Sequence, residues 1–290
     1  MLRRPPKDGM PEGREENDHR DVIMNVPIVL AAFGTTTSAR QSYTYLDAHI
    51  RAAFPAHEVH WAFSSRMVRD FDQQRRGRKR KGPGELLEEL KARGFEWAVV
   101  QALHLVAGHE FYRLVEEVQA CGIRTAMGLP LFSAPEDYGA FLEALAPKLD
   151  AVGREEAIIL VGHGTDHPSW ATYPALQYLS SGRFGHQVHI GVLEGHPSRQ
   201  EVIARVVKSG LKRIRLLPLM LVAGRHVQED LAGPEDSWQT ALQGAGLTVT
   251  LDATGLLHYP GVIKIFQEHI INALEVIPDR DQNRKDKSCA

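Results

Sequence analysis

The chain has 290 residues, of which 43% are hydrophobic and 24% are charged, a composition that supports a globular protein with a large core. Its net charge of -2 gives no overall attraction to nucleic acid, and no apolar run approaches the roughly 18 residues of a transmembrane helix. The two cysteines, Cys121 and Cys289, form no C-x-x-C pair, so we expect no iron–sulfur cluster, zinc knuckle or disulfide framework. Fourteen histidines are the unusual feature of this composition.

Apolar runs alternate with helical patterns along the chain. Residues 1–21 are polar and lack the apolar segment of a signal peptide, so we expect a disordered lead and a cytoplasmic protein. The expected strands are Pro27–Ala32, Glu58–Ala62, Trp97–Leu103, Arg124–Met127, Ala157–Val161, Gln187–Val192, Arg213–Pro218 and Leu247–Leu251. The expected helices are Ser38–Phe54, Gly84–Arg93, Glu110–Ala120, Pro135–Leu149, Pro168–Ser180, Ser198–Ser209, Ser237–Gln243 and Tyr259–Leu274. Residues 277–290 are expected to fray. This alternation indicates α/β architecture with parallel sheets flanked by helices.

The two halves of the chain resemble each other. The segment "IVLAAFGTTTSAR" at 28–40 matches "IILVGHGTDHPSW" at 158–170. The segment "LHLVAGHEFYRLV" at 103–115 matches "LMLVAGRHVQEDL" at 219–231. Two matches in the same order indicate an internal duplication of one α/β unit.

The duplication predicts the domain organisation. We expect an N-terminal α/β domain at 22–145, a C-terminal α/β domain at 146–276, and an active site in the cleft between them. The two matched motifs are 75 residues apart in the first half and 61 in the second, so the first half carries about 14 extra residues. We place this insertion near 69–84, a stretch without a core pattern.

Three strand ends of the second half carry side chains that bind metals. His163 lies between two glycines after an apolar run, Glu194 lies in "GVLEGHPS", and His226 lies in "LPLMLVAGRHVQEDL". The carboxyl ends of parallel strands meet at one sheet edge, where α/β proteins bind ligands. Two imidazoles and a carboxylate suit a borderline divalent cation. The matched positions of the first half hold Phe33 and Glu110, so only the second copy is expected to keep the metal ligands. The alternatives are a turn histidine, a helix-start histidine and a capping carboxylate.

These motifs resemble the anaerobic sirohydrochlorin cobaltochelatases, class II chelatases of the vitamin B12 pathway. The resemblance covers about 22–274 and rests on "AAFGTTTSAR", "QALHLVAGHEF", "VGHGTDHP", "LEGHPS" and "LPLMLVAGRHVQEDLAG". It implies two similar domains that insert Co2+ into sirohydrochlorin without ATP, with His163, Glu194 and His226 holding the metal. The tetrapyrrole is then the small-molecule partner. Some family members are periplasmic and bind haem between subunits. The resemblance here is to the cytoplasmic form, and it leaves haem binding and a homo-oligomer open.

Further residues near the motifs are expected to bind the substrate. His104 and Glu110 belong to the "LVAG" loop of the first half, and Thr35 belongs to "FGTTTS", whose backbone N–H groups would suit a carboxylate. Sirohydrochlorin carries eight carboxylates, so its pocket should offer cations, and Arg66 and Arg225 flank the motif loops. The alternatives are a core histidine at 104 and an ordinary N-cap in the "FGTTTS" turn.

The basic run "RRGRKRK" at 75–81 is interpreted as a solvated loop, with electrostatic steering of an acidic ligand as the alternative. It has no interleaved aromatic residues, which argues against a nucleic-acid-binding face.

Other functions compete with cobalt insertion. Fe2+ insertion to give sirohaem stays open, because both ions are borderline and the ligand types do not choose between them. A tetrapyrrole or metal carrier would keep the same histidines without needing a proton acceptor. A histidine phosphatase is disfavoured, because Gly162 stands where that chemistry needs an arginine before the histidine.

Overall fold

The structure, a computed structural model, describes residues 26–37, 41–153 and 155–278. The predicted lead at 1–21 and the tail beyond residue 278 lie outside these residues. Ile277, which was expected to fray, is instead buried in the core at 4% exposure. Within the described ranges, no helix is both long and apolar enough to cross a membrane. The cytoplasmic location stays a prediction.

Two four-stranded parallel sheets form the framework of the chain. The strands are β1 (Ile28–Ala32), β2 (Val59–Phe63), β3 (Trp97–Leu103), β4 (Arg124–Gly128), β5 (Glu156–Gly164), β6 (Val188–Glu194), β7 (Arg213–Pro218) and β8 (Thr248–Leu251). The helices are α1 (Gln41–Ala53), α2 (Arg66–Arg76), α3 (Pro83–Ala92), α4 (His109–Gln119), α5 (Pro135–Leu149), α6 (Thr172–Phe184), α7 (Arg199–Ser209), α8 (Trp238–Gly244) and α9 (Pro260–Glu275). A short 3₁₀ turn at Pro168–Ala171 precedes α6, and a π-helical turn covers Val227–Leu231.

The two sheets have the same topology. The strand order is β2-β1-β3-β4 in the first sheet and β6-β5-β7-β8 in the second, with all pairs parallel. In each sheet the first strand in the sequence lies in the interior, so its apolar run is covered on both faces. The prediction of two similar parallel-sheet units is confirmed.

The extra residues of the first half form a helix rather than a loop. Helix α2 occupies much of the stretch at 69–84 that has no core pattern, and the second half passes directly from β6 to α7. Ser65 caps α2 by accepting a hydrogen bond from the backbone N–H of Val68 at 3.3 Å. Asp72 is buried and pairs with Arg80 at 3.0 Å. Only Met67, Val68 and Phe71 of this helix are apolar, so the charged and amide side chains around them conceal the helix in the sequence.

The main core joins the two sheets. Side chains that alternate along a strand face opposite sides of the sheet. Ile28 and Leu30 of β1 share one core with Ile158 and Leu160 of β5, while the intervening side chains face separate clusters under the outer helices. The carboxyl ends of both sheets therefore border the same cleft.

Helix α9 packs on the sheet of the other half. It lies within the predicted second domain at 146–276, yet it contacts β3 and β4 of the first sheet and also α5. Phe266 and Ile270 of this helix are buried in the shared core. The apolar pattern of α9 predicts a helix correctly but carries no information about which sheet it covers. The domain boundaries stay a prediction, and by packing α9 belongs with the first sheet.

A buried histidine fixes α9 to the first half. The Nδ1 atom of His269 lies 2.9 Å from the carbonyl oxygen of Leu129, and its Nε2 atom lies 3.1 Å from Oδ1 of Asp137. The other Asp137 oxygen accepts hydrogen bonds from the backbone N–H groups of Ser133 and Ala134. Both imidazole nitrogens thus lie within hydrogen-bond distance of an oxygen atom. The polar atoms of this contact are therefore satisfied within the core.

Buried histidines should make the protein sensitive to acid. His189 on β6 is 6% exposed, and its Nε2 atom has no hydrogen-bond partner in the part of the chain that the structure describes. Burial lowers the pKa of His189 to about 4. The folded state then holds it neutral, while the unfolded chain takes up a proton below roughly pH 6.5. Its stabilising contribution should be complete above that pH and lost as the pH falls towards 4. The test is the free energy of unfolding in urea at pH 7, 6 and 5, which should fall as the pH falls. The His189→Leu variant should lose up to about 1.4 kcal/mol less per pH unit than the wild type. An unchanged slope would contradict this assignment.

Candidate active site

A cleft of about 1040 Å³ lies between the carboxyl ends of the two sheets and is lined by both halves. This volume is at the upper end of the range for small-molecule sites, roughly 300–1000 Å³. Phe33 and Met67 line it with exposures of 46% and 68%, so large apolar side chains face solvent there. The cleft therefore suits a large ligand with an apolar face.

Two predicted metal ligands lie side by side in this cleft. The ring centroids of His163 and His226 are 4.9 Å apart, with the ring planes at 89°. His163 comes from the end of β5, and His226 comes from the loop after β7, the neighbouring strand. Both side chains are exposed to the cleft. The fold thus brings together histidines that are 63 positions apart in the sequence.

Strand β5 extends further than the sequence predicts. The expected strand ended at Val161 and placed His163 in a turn, but β5 continues to Gly164. Gly164 pairs in register with Glu194 at the end of β6, and a methyl group on Gly164 would overlap the carbonyl oxygen of Glu194. Its φ of +88° also favours glycine. The glycine after His163 therefore allows two strand ends to approach closely at the cleft.

Glu194 lies at the same edge as the two histidines. It is the last residue of β6, lines the cleft and is exposed. As the side chains stand, no three His, Cys, Asp or Glu residues in the described ranges are arranged to hold a metal ion. The Glu194 carboxylate makes no hydrogen bond or ion pair with any described residue. It can therefore rotate towards the two histidines without losing a contact of that kind.

A carboxylate that the sequence analysis missed orients His226. The Nδ1 atom of His226 lies 2.7 Å from Oδ2 of Asp230, one helical turn later. The π-helical turn that begins after His226 brings the two side chains together, and such turns are frequent at functional sites. An imidazole that donates its Nδ1 proton to a carboxylate presents the Nε2 lone pair to a ligand. The spacing of four residues was the available signal in the sequence.

His104 follows β3 and lines the cleft. Both of its ring nitrogens are buried and have no hydrogen-bond partner among the described residues, and its ring makes an edge contact with Phe111 at 6.5 Å between centroids. Burial lowers the pKa of His104 to about 4, so the imidazole is neutral near pH 7. A buried neutral imidazole without partners is a polar group that a ligand in the cleft would satisfy.

Three other predicted substrate-binding residues also line the cleft. Glu110 lies in the first turn of α4 and accepts a hydrogen bond from Arg113 at 2.5 Å. Arg225 donates to both carboxylate oxygens of Glu229 at 2.8 Å. Thr35 is buried and its Oγ1 atom accepts from the backbone N–H of Thr37 at 3.3 Å. Of the described residues that line the cleft, the two arginines, Arg113 and Arg225, are therefore already paired with carboxylates.

Arg66 does not lie in the cleft lining. It is the first residue of α2, its side chain is 88% exposed, and it lies 3.9 Å from Asp70. The neighbouring residues of α2, Met67 and Val68, face the cleft instead. Helix α2, which was not predicted, places Arg66 on a face outside the cleft. The order of residues alone could not predict this placement.

A hydrogen bond connects the two halves across the cleft. His109 Nε2, in the first half, lies 2.8 Å from Asp166 Oδ1, in the second. The His109 ring also contacts the ring of His167 at 5.1 Å between centroids, and Tyr112 contacts His167 at 5.2 Å. From the sequence, His109 and His167 are expected to be ordinary surface or turn residues, and only the fold brings them together.

Comparison with known proteins agrees with this architecture. Residues 27–275 match the family model described as cobalt chelatase (CbiK). The chain is 33% identical to a sirohydrochlorin cobaltochelatase of Nitratidesulfovibrio vulgaris strain Hildenborough, covering 95% of this chain and 99% of the relative. It is 29% identical to the sirohydrochlorin cobaltochelatase of Salmonella typhimurium strain LT2, covering 87% and 98%.

A solved structure shares the fold. SirB from Bacillus subtilis, determined with Fe3+, superposes with a TM-score of 0.61 at 16% identity, covering 86% of this chain and 96% of that one. At this identity the likeness concerns the fold alone. The family match spans both sheets and the whole cleft, and the chain belongs to the cobalt chelatase (CbiK) family.

Proposed function

We propose that this protein inserts Co2+ into sirohydrochlorin in the cleft between its two sheets. The observation that carries the proposal is the pair of adjacent, exposed imidazoles of His163 and His226 beside the strand end that holds Glu194. The curated relatives are named for this activity and match nearly the full length of the chain. Two imidazoles with one carboxylate bind a borderline divalent ion and leave coordination positions open.

Metal insertion requires that the ion lose water and that two pyrrole N–H protons leave. In the proposed mechanism His163, Glu194 and His226 hold Co2+ on one side and leave the other side open to the pyrrole nitrogens. A set of three ligands also releases the metal more easily than a closed set of four. As Co2+ passes from His163 to the pyrrole nitrogens, the freed imidazole nitrogen accepts the proton that a pyrrole N–H loses, since neutral imidazole is a base near neutral pH. Glu194 ligates the ion or relays the second proton.

The apolar wall of the cleft supports binding of the macrocycle. Phe33 replaces His163 at the duplicated position, and with Met67 it offers a surface that excludes water from one face of a planar ring. The neutral His104 has two unpartnered nitrogens in the same cleft and would meet the polar groups of the substrate. We therefore assign His104 to substrate binding rather than to metal binding.

The activity is tested with purified protein, sirohydrochlorin and Co2+. Spectroscopy should record cobalt insertion well above the rate in buffer, and added ATP should not change it. A rate equal to that in buffer would identify a carrier. A parallel reaction with Fe2+ decides the preference between the two ions, and a faster Fe2+ reaction would favour sirohaem formation.

Asp230 should be needed for efficient cobalt binding. Asp230→Ala removes the acceptor that fixes the tautomer of His226, and loss of such a partner typically costs about 10–100-fold in metal affinity or activity. The measurement is the dissociation constant of Co2+ together with the rate of insertion. Glu235→Ala, which removes an exposed carboxylate outside the cleft, is the matched control and should leave both unchanged. Equal cobalt affinity in Asp230→Ala and the wild type would remove Asp230 from the site.

A further inference from the structure

A smaller cavity of about 540 Å³, here called the side pocket, opens beside the main cleft. The two cavities share the lining residues Thr35, Tyr43 and Val68. Thr35 also lies beside Gly224, in the loop that leads to His226. A ligand held at the two cleft histidines could therefore extend a side arm past Thr35 into the side pocket.

The side pocket carries an excess of positive charge. In the part of the chain that the structure describes, its lining contains the three arginines Arg51, Arg78 and Arg80 and the two carboxylates Asp47 and Asp72.

Two of these arginines are already engaged. Arg51 donates to Oδ2 of Asp47 at 2.8 Å and to the carbonyl oxygen of Val59 at 2.7 Å. Arg80 donates to Asp72 at 3.0 Å. Arg78 is exposed and its side chain makes no hydrogen bond or ion pair with a described residue. It is the charge that remains available for a ligand.

The segment that carries Arg78 is held in place. The backbone N–H of Arg78 donates to the carbonyl oxygen of Asp72 at 3.2 Å, and Arg80 is fixed by buried Asp72 and by the ring of Phe63, 5.0 Å from its guanidinium carbon. The backbone of Lys81 accepts a hydrogen bond from Phe63 at 3.0 Å. The backbone of the basic run is thus anchored against the pocket, while Arg78 and Lys79 are exposed as expected for a solvated loop. The second half has no counterpart of this segment.

We propose that the side pocket binds a carboxylate arm on the rim of the tetrapyrrole, with Arg78 as the cation that meets it. This inference rests on the proposed function. A substrate with eight carboxylates needs cations around its rim, and the two arginines among the described residues that line the main cleft, Arg113 and Arg225, are paired with Glu110 and Glu229. Arg78 has no such competitor, and a guanidinium can contact both oxygens of a carboxylate. The extra segment of the first half then sets the orientation of the macrocycle above the metal ligands.

The test separates tetrapyrrole binding from metal insertion. Arg78→Gln should weaken binding of metal-free uroporphyrin, an octacarboxylate, about tenfold in a fluorescence titration, because a charge-assisted hydrogen bond is lost. With sirohydrochlorin and Co2+, it should raise KM by a similar factor and change kcat by less than twofold. Arg78→Lys should recover part of the affinity. Lys79→Gln is the matched control, since it removes a neighbouring charge that pairs with Glu85 outside the pocket, and it should have little effect.

The outcomes are distinguishable. Weaker porphyrin binding by Arg78→Gln in a protein that inserts no cobalt would support the side pocket and refute chelation. Normal cobalt insertion with an unchanged KM in Arg78→Gln would overturn the side pocket and leave chelation standing. Equal losses of porphyrin affinity in Arg78→Gln and Lys79→Gln would show that the effect depends only on overall charge. That result would also overturn the side-pocket proposal. A parallel titration uses citrate as a free carboxylate ligand. Loss of citrate binding by Arg78→Gln without loss of porphyrin affinity would assign the pocket to free carboxylates, against the proposal.

Discussion

Replacing His163 with alanine should abolish cobalt insertion while leaving the fold intact. The side chain projects into the cleft, so its removal takes away little core packing. The variant loses a metal ligand and the proposed proton acceptor together, and proton transfer alone contributes about 100–10,000-fold to a rate. The measurement is Co2+ insertion into sirohydrochlorin by wild type and variant between about pH 5.5 and 8.5. The wild-type rate should fall in acid, because a protonated imidazole neither ligates nor accepts a proton.

The control for this experiment is His186→Ala. His186 is exposed and does not line the cleft, so this variant should keep the wild-type rate. Circular dichroism should show the same folded signal for both variants. If His163→Ala keeps more than about a tenth of the wild-type rate, the assigned role is wrong, and Glu194 or His226 becomes the candidate base.

Gly164→Ala should damage both stability and the metal site. The added methyl group would overlap the carbonyl oxygen of Glu194, which is backbone and cannot rotate away. The residue would also hold a φ of +88°, which strains any side chain. We expect a loss of about 2–4 kcal/mol in the free energy of unfolding. Cobalt binding should weaken as well, because the end of β6 that carries Glu194 must shift.

Gly182→Ala provides the matched comparison. Gly182 lies in α6, and a methyl group there would contact nothing within 4 Å. In a helix this exchange should stabilise the protein by up to about 1 kcal/mol. Thermal unfolding and Co2+ titration of both variants test the contrast. A melting temperature and a cobalt affinity like those of wild type in Gly164→Ala would show that the strand ends tolerate the methyl group.

The local sequence pattern predicts most elements because the strands are buried on both faces. The strands Trp97–Leu103 and Arg213–Pro218 and the helix Pro135–Leu149 have the bounds expected from their apolar runs. Helix α2 was missed because its three apolar residues, among them the buried Val68, lie in a segment made mostly of charged and amide side chains. The extension of β5 to Gly164 was missed because glycine usually ends a strand, and only the pairing with β6 explains it.

By itself, the sequence determines the duplicated α/β architecture, the family resemblance and the histidines and glutamate at strand ends. Each of these features depends on residues that are close together in the sequence, so short segments are enough to predict it. The tertiary structure alone decides that α9 covers the first sheet, that Arg66 lies outside the cleft, and that Asp230 meets His226. It also places Arg78 in the side pocket without a partner among the described residues. These features depend on which surfaces meet after the chain folds. The packing of segments that are distant in the sequence determines them, and a local pattern of residues does not predict that packing.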